Sequence, residues 1–260
     1  MKFLVFVIAL FIINTAAASY ISLTTYTNVD VIKDSKGTIN ITIENSGDES
    51  ANNVRITLLS DQFIMDDEYA VSINPNSKNF FQPEIIAKTS MPGTYVSTLK
   101  VEYQDANGKV FSAINPVQID YKQPSFSSIL IEVDDVKIEE KSTSYARVKI
   151  KNFDNNERKF NLKLYLPQEM TYSPLVISDY IGSKAEKTLT FKLRNNDGIA
   201  GSEYAFFAVL EYQDQLHYSS FETAKISIQP KSFFNLPLIL SILFLLLVLA
   251  LAYMSKVKKK

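Results

Sequence analysis

Glu102-Tyr103-Gln104-Asp105 recurs as Glu211-Tyr212-Gln213-Asp214, 109 positions later. Tyr95 and Tyr204 keep that offset, Ile43-Glu44-Asn45 aligns with Ile150-Lys151-Asn152 at 107, and Ser77-Lys78 aligns with Ser183-Lys184 at 106. Markers that hold register over a hundred residues indicate a duplicated unit. Within each copy the apolar residues alternate. The isoleucines of Thr38-Ile39-Asn40-Ile41-Thr42-Ile43-Glu44 share one face, as do the apolar residues of Tyr145–Lys151 and Asn161–Leu166. Period two means β-strands with one buried face. No stretch of helical period interrupts them, and short strands separated by turn signals predict an all-β sandwich in each copy.

A unit of this length fits an immunoglobulin-like sandwich, which needs roughly 100 residues. The predicted organisation is sandwich 1 over 19–121, a linker at 122–125 and sandwich 2 over 126–230. Pro124 ends one copy and stiffens the junction, so little swivel is expected. The seven glycines fall between strands or at strand starts. Asp105-Ala106-Asn107-Gly108 reads as a hairpin turn.

The segment Asn45-Ser46-Gly47-Asp48-Glu49-Ser50-Ala51-Asn52-Asn53-Val54 lies between two alternating strands. With the later strand ending in Glu102–Asp105 and Gly108, it resembles the cell-adhesion-related (CARDB-type) Ig-like domains found in tandem in archaeal and bacterial surface-layer-like, membrane-anchored proteins. The second copy carries Asn152-Phe153-Asp154-Asn155-Asn156 and lacks the glycine. Asn tolerates left-handed geometry, so an equivalent turn is expected there. The resemblance implies a fold and a cell-surface setting, with no catalytic residues attached.

The two ends define a topology. Lys2, the apolar run Phe3–Ile13 and Ala16-Ala17-Ala18 have the layout of a secretory signal peptide over 1–18. At the other end, residues 232–255 carry no charge, enough length to span a bilayer as a helix. The basic tail 256–260 biases that flank to the cytoplasmic side. The expected product is a single-pass cell-membrane protein with its ectodomain outside, touching the lipid bilayer through 232–255. Gln229-Pro230-Lys231 leaves almost no tether, so the second copy is expected next to the membrane.

The net charge of −1 hides an asymmetry. All 28 acidic residues lie between the two flanks, against 21 of the 27 basic ones, leaving that part at −7. So acidic a surface disfavours nucleic acid, which needs basic phosphate contacts. Cysteine is absent, which excludes disulfides, thiol catalysis and Cys-ligated metals.

Chemistry is hard to find. His217 is the sole histidine, so a nucleophile–base pair could only join it to a Ser or Thr. No G-x-S-x-G elbow, Gly-rich phosphate loop or EF-hand loop occurs. The expectation is no enzyme, no cofactor and no metal site. Asn40-Ile41-Thr42 makes Asn40 a candidate N-glycosylation acceptor, although it lies in a strand and acceptors favour loops. One surface differs between the copies. The non-core face of the Tyr95–Tyr103 strand reads Val96, Thr98, Lys100, Glu102, whereas its repeat reads Ala205, Phe207, Val209, Glu211. An apolar outer face is covered by a neighbouring segment or kept for a partner, so Ala205, Phe207 and Val209 form a candidate partner surface. The function expected is non-catalytic binding of a protein or surface polymer in a surface-layer-like structural or adhesion role. The alternative is an accessory ectodomain subunit of a membrane transport or secretion complex.

Overall fold

A computed structural model describes residues 20–230, with Leu243, Phe244 and Leu246, which are helical and exposed. The signal peptide expected at 1–18, the rest of the span expected at 232–255 and the tail at 256–260 lie outside the described residues. Among the described residues no helix is long and apolar enough to cross a membrane.

The chain over residues 20–230 is all-β. Its first half holds β1 (Leu23–Val29), β2 (Lys36–Asn45), β3 (Ala51–Leu59), β4 (Phe63–Met65), β5 (Glu68–Ile73), β6 (Ser77–Phe81), β7 (Glu84–Ala87), β8 (Gly93–Gln104) and β9 (Val110–Tyr121). The second half holds β10 (Ile129–Val133), β11 (Val136–Glu139), β12 (Thr143–Asn152), β13 (Arg158–Tyr165), β14 (Met170–Ser173), β15 (Ile177–Ile181), β16 (Glu186–Asn195), β17 (Glu203–Gln213) and β18 (His217–Gln229).

Each half is a two-layer sandwich. In the first, β1-β2-β7-β4, with β6 also on β2, faces β5-β3-β8-β9. In the second, β10-β12-β16-β14 faces β15-β13-β17-β18, with β11 running parallel on β18. Alternation places the buried side chains between the layers. One core gathers Ile39, Ile41, Ile43, Phe63, Leu99 and Ile119, and the other Val148, Ile150, Phe160, Phe191, Phe206 and Leu210.

The repeated residues have structural reasons. Tyr103 pairs across the β8–β9 hairpin with Phe111, and Tyr212 across β17–β18 with Tyr218, each pair stacked. Cross-strand aromatic pairs of this kind fix hairpin register. The Lys78–Glu44 ion pair of the first copy returns as Glu186–Lys151 in the second, with the signs exchanged. The copies differ where proline intervenes. β16 runs unbroken along β12, but its counterpart is split into β6 and β7 around Pro83, which has no N–H to give to a ladder.

The turn after Asn45 works differently from the expectation. Neither Gly47 nor any residue of 153–156 has a positive φ. Both turns are built around a buried asparagine. Asn45 Nδ2 donates to the carbonyls of Glu49 (2.8 Å) and Ile73 (3.0 Å), and its Oδ1 accepts from Gly47 N. Asn152 Nδ2 donates to the carbonyls of Asn156 (2.8 Å) and Gly182 (2.9 Å), and its Oδ1 accepts from Asp154 N. Gly47 is needed for closeness instead: a Cβ there would land on the Tyr20 carbonyl and within 2.8 Å of Ser22 N. We expect Gly47→Ala to dislodge residues 20–22 while leaving both cores folded. Faster amide exchange confined to 20–23 and 46–49 would register it.

Candidate functional site

The outer faces of β5-β3-β8-β9 and β15-β13-β17-β18 meet, so the two sandwiches pack side by side. Phe207 and Val209 of β17 are 1% and 2% exposed, in one cluster with Val96 of β8 and Ile114 of β9. Tyr165 and Phe221 flank the cluster, and Tyr165 stacks on Phe207 with centroids 5.0 Å apart. The apolar face read from the sequence is therefore covered by the chain's own first copy. Only Ala205 of the candidate trio stays exposed. Phe207 and Val209 offer no free surface to a second molecule in this arrangement.

At one end of the seam, backbone and linker lock together. His217 bridges Gly93 in parallel, the one residue pair that joins the two outer sheets into a nine-stranded sheet. His217 N donates to the Pro92 carbonyl at 2.9 Å, and Ser125 Oγ of the linker donates to the His217 carbonyl. Ser125 N in turn donates to Thr94 Oγ1 at 2.9 Å. Gly93 has φ +147, and a Cβ there would strike the His217 backbone. Gly93→Ala should therefore open the seam from this end at a cost of about 2 kcal/mol or more. Tryptic cleavage at Lys122 under native conditions is the readout: faster cutting is expected, and an unchanged rate would remove Gly93 from the lock.

The sole histidine sits in this lock. The His217 ring stacks on Tyr95 with centroids 4.0 Å apart and planes 4° from parallel. Its Nε2 lies 3.1 Å from Ser219 Oγ and 3.6 Å from Glu211 Oε1. Ser, His and a carboxylate are thus neighbours, but the order is wrong for a relay. A nucleophile–base–acid triad needs the acid on the nitrogen opposite the nucleophile. Here both approach Nε2, and Nδ1 faces Gln213 Nε2 at 3.5 Å. Ser219 is itself buried. The arrangement suits a structural wedge.

At the other end of the seam, Glu169 is buried against β9. Its Oε1 accepts from Ser112 N at 3.1 Å and its Oε2 from Ser112 Oγ at 3.4 Å, and Gln168 N donates to Ser112 Oγ at 2.8 Å. Burial pushes the Glu169 carboxyl above its ordinary range, against the lowering pull of these hydrogen bonds and of Lys109. An acid whose folded pKa is raised binds protons more readily when folded. Its contribution to stability is fully present below the unfolded pKa, about 4.3 for a free Glu, and is lost as pH rises through the folded value. We expect Glu169→Gln to flatten the pH dependence of unfolding just above pH 4 and to stabilise the seam at neutral pH. Denaturant midpoints for both proteins across pH 4–7 test this, and parallel curves would exclude it.

Asn40 lies in β2, half-exposed, opposite Asn28 of β1, and its Oδ1 accepts from Gln82 Nε2 at 2.7 Å. In the next row Tyr26, Thr42 and Phe80 align across β1, β2 and β6, with both rings exposed. Among the described residues no group of three or more His, Asp or Glu side chains is placed to hold a metal ion. Sequence reasoning placed Val96 on an outer face without its partners, and missed Ile114, Tyr165, Ser112 and Glu169. Of these, Ile114 and Tyr165 carried a signal, being apolar or aromatic at positions the alternation assigns outward.

No family model matches the chain, and no curated protein sequence matches it. Among solved structures, trypsin-activated alpha-2-macroglobulin from Escherichia coli is similar over 81% of this chain and 18% of its own, at 10% identity and TM-score 0.34. A Salmonella alpha-2-macroglobulin mutant, Y1175G, is similar over 81% and 16%, at 8% identity and TM-score 0.34. The native conformation of the E. coli protein is similar over 80% and 17%, at 10% identity and TM-score 0.31. The chain spans under a fifth of each of these proteins, and likeness at this level carries no activity across.

Proposed function

We propose that residues 19–230 form the exported ectodomain of a single-pass membrane protein, two immunoglobulin-like sandwiches that act by non-catalytic binding in a surface-layer-like structural or adhesion role. The observation that carries this reading is the seam. A Pro-containing junction closed by Ser125, a shared backbone bridge and an apolar cluster make the tandem one stiff body. A stiff, cysteine-free body joined by one residue to an apolar stretch suits presentation at a surface. The misordered His217 group supplies no reaction to set against it.

Protease shaving of whole cells tests the placement. The ectodomain should be cut while the 256–260 tail stays protected, and an ectodomain that survives while other surface proteins are cleaved would reverse the orientation. Cross-linking on intact cells then separates the two binding roles. A surface polymer or envelope protein as main product supports the structural role, and a multi-span transporter would replace it with the accessory-subunit reading.

A further inference from the structure

Side-by-side packing sets which parts of the first sandwich share an end with the C-terminal exit. In the second sandwich, Gln229 pairs with Glu139, Gly201 N donates to the Ile228 carbonyl, Asn195 N to the Ser142 carbonyl and Asn196 N to the Glu169 carbonyl. The loops 139–143, 166–169 and 195–202 therefore surround the point where the chain leaves at Pro230. The seam runs from the Gly93–His217 bridge, at the far end, to the Ser112–Glu169 contact at this end. Two residues before Ser112, β9 begins at the β8–β9 turn. Lys109 of that turn shares a shallow hollow with Glu140, Lys141, Asp197 and Ile199. Ala106 N of the same turn donates to Glu49 Oε1, and Tyr20 N to Asp48 Oδ1. Tyr20 and Pro230 thus leave the folded body at one pole.

We infer that this whole pole, the β8–β9 turn of the first sandwich together with the 139–143 and 195–202 loops of the second, rests against the headgroup surface of the bilayer. The inference rests on the membrane-anchor reading above. Only Lys231 separates Pro230 from the uncharged run that begins at Ser232, so the pole cannot stand far from the lipid. Both sandwiches are then membrane-proximal, and the body stands one sandwich tall: 13 residues of β18 at about 3.3 Å each give roughly 40 Å. An end-to-end tandem would stand about twice as high. Asp48, Glu49, Asp105, Glu140 and Asp197 outnumber Lys109 and Lys141 at the pole, so attraction to anionic lipid cannot hold it there. The tether does, and the proximity persists on neutral lipid.

The chain has no cysteine, so single labels are clean. Full-length chains carrying Asn107→Cys, Asp197→Cys or Asp34→Cys, each with a donor dye, are reconstituted into phosphatidylcholine vesicles doped with acceptor-labelled lipid. Asn107 and Asp197 should transfer energy to a similar extent, and several-fold more than Asp34 at the opposite pole. Strong transfer from Asp197 with Asn107 no better than Asp34 would overturn the inference and leave the anchor standing. A chain that stays out of the vesicles, with no transfer from any site, would overturn both.

Discussion

Phe207→Ala is expected to destabilise the body by about 3–5 kcal/mol, the range for deleting a fully buried aromatic ring. The ring is 1% exposed, stacks on Tyr165 and packs with Val96, Ile114 and Val209. That cluster is separate from both sandwich cores. The loss should therefore fall on the union of the sandwiches before it falls on either sandwich. A single unfolding transition should split into two or broaden, and the linker should be cut faster at Lys122. Phe207→Lys should go further, because the cleft leaves an ammonium without water or an acidic partner in the cluster. Val71, 88% exposed on β5, supplies the control: Val71→Lys should shift stability by no more than about 0.5 kcal/mol. If Phe207→Lys unfolds like the parent and leaves the rate of cutting at Lys122 unchanged, the seam is not what joins the sandwiches.

Asn45→Ala and Asn152→Ala should each cost about 2–4 kcal/mol. Each removes one buried amide that serves at least two carbonyls and one N–H, and a buried polar group left unmatched costs about 1–3 kcal/mol. The carbonyls stranded by Asn45→Ala are those of Glu49 and Ile73, and by Asn152→Ala those of Asn156 and Gly182. Asp is the informative second substitution. It keeps the shape and the acceptor oxygen but sets a carboxylate against two carbonyl oxygens, so it should be as damaging as Ala at neutral pH and recover partly in acid. The exposed Asn155 should tolerate Ala within about 0.5 kcal/mol. Urea midpoints of the three alanine variants, measured side by side, decide the point.

Much of this architecture was legible in the residues. Alternation in Thr38–Glu44 and Tyr145–Lys151 marked β2 and β12, and the core faces it assigned are the buried ones. The Tyr103 and Tyr212 repeats marked matching hairpins. Period two says only that a strand has two faces, however. It identified Phe207 and Val209 as apolar on the outer side of β17 but could not say what covers them. The answer lay in Val96 and Ile114, about a hundred residues earlier, where Val96 is the single apolar residue on the outer face of β8 and Ile114 clusters with it from β9. The turns after Asn45 and Asn152 were located correctly and explained wrongly. A glycine beside polar residues suggests left-handed backbone, whereas an amide satisfied from three directions leaves no mark in the sequence beyond the asparagine itself. Glu169 was equally silent, since nothing local distinguishes a carboxylate that ends up buried from the many that remain in water.

The seam, the shared pole and the stiffness of the body all require that the sandwiches lie side by side. The most direct measurement is a pair of electron-spin distances on the full chain in detergent, taken from the doubly labelled Asn107→Cys/Asp197→Cys and Asn107→Cys/Asn155→Cys proteins. A narrow distribution for the first pair, clearly shorter than the second, is the predicted result. A broad distribution, or Asn107 lying closer to Asn155 than to Asp197, would contradict side-by-side packing.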